Sequence, residues 1–225
     1  MKKLWCVLFF CCCFSGVLLG CDYEAKKQEV IVGDSSNMTV SMRHLRKIYF
    51  DFAIDYRLEY MPIFTEGHAP INADEYLLWV ALTNEVWLQT KGDLSAVAIE
   101  EAVDQHFEVK ELHHQPSEGW NWDSKNGMYE PIPMGYGDRD TLYALIDFRE
   151  NNVGDNTVYT ITYDVLENEI GPDRTEADLQ RYREEIWDGS YLESDHLNVY
   201  KKEKITFYWS EEGEPVFLSH EVLSE

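Results

Sequence analysis

Past its first 21 residues this chain has no cysteine; the five it carries are Cys6, Cys11, Cys12, Cys13 and Cys21. No disulfide framework can therefore staple the remaining body, and cysteine catalysis is excluded from it. The fold must rest on a hydrophobic core, which a body of about 200 residues is large enough to build. Basic side chains are scarce as well: Lys and Arg number 19 against 42 Asp and Glu, a formal net charge of −23. Nucleic-acid binding runs on clustered Lys and Arg, so that class falls away. A long apolar run is also missing, since the one extended stretch, Leu4 to Leu19, covers 16 residues where a spanning helix needs about 20. There is no His-Glu-x-x-His, no Gly-x-Ser-x-Gly, no glycine loop opening a helix around a phosphate and no Asp-x-Asp-x-Asp-Gly calcium loop. Gly135-Tyr136-Gly137 leads into a strand, so it offers an anion no helix dipole.

What is present begins at Met1. Lys2 and Lys3 precede the apolar stretch, and Leu18-Leu19-Gly20-Cys21 closes it, the layout of a secretory signal whose cationic end is held inside while the apolar part enters the membrane. That ending resembles the bacterial lipobox, although Leu19 stands where a small or β-branched residue is usual. The resemblance covers residues 1–21 only. It implies cleavage before Cys21, a diacylglyceryl group on its thiol and attachment to the outer face of a bacterial membrane. The expected organisation is a signal peptide over 1–20, the lipidated Cys21 and a flexible tether over 21–40, and one α+β domain over 41–225. Without Lys2 and Lys3 the remaining chain holds 17 basic against 42 acidic side chains, about −25. Such a body is not drawn to anionic lipid, where basic residues gain about 1 kcal/mol each. The anchor outweighs that, because each buried methylene contributes about 0.8 kcal/mol. The tether, Asp22 to Thr39, is polar except for Val30-Ile31-Val32, which could instead add a strand, and as a coil it spans on the order of 25 Å.

Helical spacing dominates the first half. Leu45, Ile48, Phe52 and Tyr56, widened by Tyr49, Ala53 and Tyr60, predict a helix over Ser41–Met61. A second is predicted from Asn72, with Glu75 three residues on as a capping pair, to Gly92. Asp93 is the predicted cap of a third, to Phe107. From Val109 to Asp138 Gly, Pro and aromatic residues take over, and Asn126-Gly127 between Trp122 and Tyr129 predicts a hairpin. The period then becomes two: Leu142–Phe148 and Tyr159–Val165 predict an antiparallel pair, Thr175–Trp187 a helix capped through Thr175 or Asp173, Leu197–Trp209 one or two strands and Val216–Val222 the last. Helices first and strands afterwards predict an α+β fold: a helical layer packed on a curved antiparallel sheet, with one further helix between strand pairs. This element order is similar to that of cystatin-like folds.

The most site-like segment is the aromatic one, and Trp120, Trp122, Tyr129 and Tyr136 are the candidate binding surface. A tryptophan-rich hairpin can equally close the end of a core. His106, His113 and His114 cluster after the third helix, but neighbours in an extended chain point opposite ways, so no metal site is assigned; solvated loop histidines are the simpler reading. Asp138, Asp140, Asp147 and Asp155 form the kind of cluster that a chain this acidic makes by chance. No cofactor is expected and no catalytic residue is assigned. The favoured function is a non-catalytic, surface-anchored binding or accessory module for a protein, peptide or glycan. The alternatives are an envelope hydrolase with two facing carboxylates and a small-ligand or divalent-cation carrier.

Overall fold

The computed structural model describes residues 40–132, 141–168 and 175–224. Cys21, the tether, Tyr136 and the pair Asp138 and Asp140 lie outside the described residues. Helix α1 (Val40–Asp55) buries Tyr49, Phe52 and Ala53 as its stripe predicts. It stops earlier than Met61, because Arg57 takes the left-handed conformation at φ 49°. A 3-10 turn, Leu58–Tyr60, then buries Leu58. The Tyr56 carbonyl released at the helix end accepts the Trp79 indole N–H at 2.8 Å, satisfying one of the acceptors a helix terminus leaves open.

The predicted second helix is three pieces. Asn72 opens only a 3-10 turn, Ala73–Glu75, without capping it; α2 (Leu77–Thr83) follows, and α3 (Glu85–Thr90) starts afresh. The break falls at Asn84, whose side chain accepts from the Trp87 N–H at 3.0 Å. An Asn that offers the backbone such a bond competes with continuation of the helix. Strand β1 (Leu94–Ser95) precedes α4 (Ala96–Phe107), and the cap of α4 is Ser95, not Asp93: Ser95 Oγ accepts from Ala98 N at 3.1 Å.

Strands β2 (Trp120–Asp123) and β3 (Met128–Pro131) form the predicted hairpin, and β1 joins it in a three-stranded sheet ordered β1-β3-β2. The turn is the four residues Ser124–Gly127: Asp123 Oδ1 accepts from Lys125 N and Asn126 N, and Gly127 closes it at φ 65°. The main sheet is an antiparallel meander, β4 (Leu142–Val153), β5 (Asn156–Asn168), β6 (Leu197–Trp209) and β7 (Pro215–Leu223), with a register shift in each pairing. Helix α5 (Glu176–Asp188) connects β5 to β6, and of its two expected caps it takes Thr175, in a full capping box with Asp178. The α+β fold is as read: α1 and α5 lie against β4, and α4 against β7.

Two apolar clusters hold these layers together. In the larger, Phe207 stacks on Phe52 (5.0 Å) and Tyr159 (5.5 Å), and Phe107 meets Phe217, Tyr76 and Trp79. Each such ring contributes roughly 1.5–3 kcal/mol by leaving water. In the smaller, Phe50 turns the opposite flank of α1 towards Tyr182, Ile186 and Tyr191, with Ala144, Leu166 and Leu197 of the sheet.

Candidate functional site

Alternation along β2 puts Trp120 and Trp122 on one face, opposite Pro131 and Tyr129 of β3. The inner end of that face is core. Trp120 is 3% exposed and packs on Trp87, and Tyr129 is fully buried, so neither ring presents itself to a partner. Of the three expected surface residues that are described, Trp122 alone stays half-buried at the rim. Tyr136 lies outside the described residues.

After α4 the chain runs extended beside Asn72: His113 N donates to Ile71 O at 2.7 Å, and Ala73 N to His113 O at 3.0 Å. His113 therefore points to solvent and His114 inward. The His114 ring stacks on Trp122 at 5.0 Å and 21°. Its Nδ1 meets the Tyr129 hydroxyl at 3.2 Å and its Nε2 meets Glu100 Oε1 at 3.0 Å. That hydroxyl also accepts from the Gln115 N–H at 3.3 Å, and burial raises its pKa and keeps its proton in place. The consistent arrangement has Tyr129 donating to Nδ1 and Nε2–H donating to Glu100. The Gln115 side-chain amide donates to Asp74, a second carboxylate near the Tyr129 hydroxyl. The centroid distances His114–Trp122, Trp122–Tyr129 and His114–Tyr129 are 5.0, 4.6 and 5.8 Å. They close a triangle with an acute angle at Trp122. Both rings pack on the indole, which stays partly exposed.

The chain matches no protein-family model, no curated protein and no solved structure.

A second centre lies inside the larger core, where sequence reading placed nothing. Glu203 and His220, each 1% exposed, face one another from β6 and β7 with Nε2 3.2 Å from Oε2. Lys201 reaches the other carboxylate oxygen from the rim. Neither contact has hydrogen-bond alignment, and the buried Tyr143 hydroxyl also lacks a partner. Burial pushes the Glu203 carboxyl up, but the contacts with His220 and Lys201 outweigh it and leave the pKa below the ordinary value. Glu59 beside it is raised by burial. Two carboxyls pushed apart in this way is the pattern that separates an acid from a base, yet no substrate reaches Glu203 without the core opening. One sequence signal marked this centre: Glu203 holds an inward position in the alternation shared with Ile205 and Phe207.

The remaining sequence candidates do not converge. His106 bonds the Pro215 carbonyl through Nδ1 at 2.9 Å, and Asp147 is paired with Arg149 at 2.7 Å. Among the described residues no group of three His, Cys, Asp or Glu is placed to hold a metal ion.

Proposed function

We propose that this chain is a lipid-anchored, extracytoplasmic bacterial binding protein that engages a basic peptide segment of its partner at the Trp122 face, without catalysis. The observation that carries the reading is the indole itself: it is held by His114 and Tyr129, stays half-buried at the rim, and has the carboxylates of Glu100 and Asp74 beside the two rings that hold it. An aromatic ring pre-ordered by its neighbours loses little freedom on binding. A guanidinium stacks on such a face and pairs with adjacent carboxylates. The same chain shows the contact elsewhere, with Lys91 over Trp87 at 4.3 Å and Lys47 over Trp187 at 5.0 Å. The net charge of −23 adds steering towards a basic partner. The lipobox-like ending at Cys21 supports the address.

The test uses an arginine-containing nonapeptide and isothermal titration at physiological salt. Trp122→Ala leaves every charge in place, so a loss of about tenfold in affinity or more is expected if the ring is an anchor. Equal binding by the variant would reduce the interaction to general charge attraction and overturn the site.

A further inference from the structure

Glu203 and His220 have no part in the Trp122 face, yet a buried ion pair without hydrogen-bond alignment is a costly feature for a core to retain. What the pair holds is visible on the other side of the imidazole. His220 Nδ1 bonds the Pro62 carbonyl at 3.1 Å, Phe64 N donates to His220 O at 2.7 Å, and His220 N donates to Phe64 O at 2.9 Å. One residue thus fastens the strap Pro62–Phe64 along the free edge of β7. Pro62 O and the Glu203 carboxylate thus face the ring from its two nitrogens.

We propose that Glu203 and His220 form an acid-sensitive latch that closes the Pro62–Phe64 strap on β7 and releases it, ahead of the sheet, when Glu203 is protonated.

Of the groups facing Glu203, Lys201 and His220 favour its anion, and Glu59 opposes it while ionised. On β6, Lys201 is cationic; on β7, His220 is the partner; on β5 and β4, Tyr163 and Tyr143 have pKa values raised by burial and stay neutral. From the turn after α1 comes Glu59, whose own carboxyl is raised by burial, with Arg57 acting on it in the opposite sense. Glu59 accepts its proton before Glu203 does. When Glu203 follows, no carboxylate is left among these groups, and Lys201 and His220 face a neutral acid. The sign follows: Glu203 has a folded pKa depressed below 4.5, so its contribution is complete above that pH and is lost as pH falls through the lower value. His220 then stays buried without the carboxylate it faced; a buried polar group that loses its partner is costly, and the Pro62 contact goes with it.

Amide hydrogen exchange on the intact chain reads this directly. After correction for intrinsic rates, protection at Phe64 and His220 is expected to fall about tenfold or more between about pH 6 and pH 3.5 while Ile205, in the sheet centre, keeps its own. Lys201→Met, at a side chain one-third exposed, removes a cation that favours the Glu203 anion, so the opening midpoint moves to higher pH. Glu203→Gln removes the carboxylate outright, so protection at Phe64 is low relative to Ile205 at every pH. Protection at Phe64 that stays in step with Ile205 throughout, or a midpoint indifferent to Lys201→Met, would overturn the latch. A Glu203→Gln chain that fails to fold leaves the Lys201→Met comparison decisive.

Discussion

Gly189 ends α5 at φ 90°, and a Cβ there would run into the Arg46 guanidinium. Arg46 is itself committed: its Nε donates to Leu145 O at 3.1 Å, and Asp188, Asp164 and Tyr191 surround its charge. Gly189→Ala therefore combines a left-handed backbone penalty of about 1–2 kcal/mol with displacement of a positioned cation. A loss of roughly 2 kcal/mol or more in urea unfolding is expected, whereas Gly154→Ala, at a β4–β5 turn with open space around it, should cost about the backbone term alone. Equal losses would show that Arg46 gives way freely. Sequence shows Gly189 as a helix stop and nothing more, because Arg46 approaches from α1 and contacts of that range leave no local trace. Trp120 and Tyr129 carry the same lesson. Aromatic residues beside a turn read alike whether they face solvent or a core, and only the packing of Trp87 on Trp120 separates the two. Trp122 kept its place among the candidates because it is the last inward residue before the turn, where the core thins.

Elements were legible where a single periodicity ran uninterrupted. The β4–β5 pair, α5 with its Thr175 cap and the inner stripe of α1 all follow from spacing. The second helix did not, and the reason is specific. Its apolar content continues through Asn84, but Thr83 Oγ1 bonds the Trp79 carbonyl at 2.9 Å and Asn84 captures the Trp87 N–H. Side chains that bond nearby backbone shift the balance from helix to cap. Phe50 was missed for a different reason: α1 packs on two partners, and a one-stripe reading assigns the second flank to solvent. The helix break makes a prediction that opposes the sequence expectation. Asn84→Ala should destabilise by about 1 kcal/mol, the usual cost of a lost cap. Asn72→Ala should cost only a few tenths, since Asn72 makes no capping bond and only a 3.4 Å contact with Glu75. Chemical denaturation of the two variants distinguishes the arrangements. The reverse order would mean that the helix runs on from Asn72.

At the scale of the whole molecule, composition carries an argument that no coordinate does. A chain with 19 basic and 42 acidic side chains is repelled by anionic lipid, so any lasting membrane association has to come from something other than charge. Among the described residues no helix is long and apolar enough to cross a bilayer, and the proposed attachment is the lipid on Cys21. These two mechanisms respond oppositely to salt. Electrostatic docking weakens as ionic strength rises and the Debye length shrinks from about 8 Å to about 3 Å at 1 M. A diacyl anchor gains slightly, because screening removes the repulsion between body and surface while the chains stay buried at about 0.8 kcal/mol per methylene. The expected outcome in cell fractionation is that the wild-type chain stays with membranes through a 1 M salt wash and leaves only in detergent. Cys21→Ser, which changes no charge, should leave the protein uncut or free of lipid, with the mass of the mature chain reporting which. Release of the wild type by salt alone would remove the anchor from the proposal, and with it the reason for expecting the Trp122 face to meet its partner outside the cell.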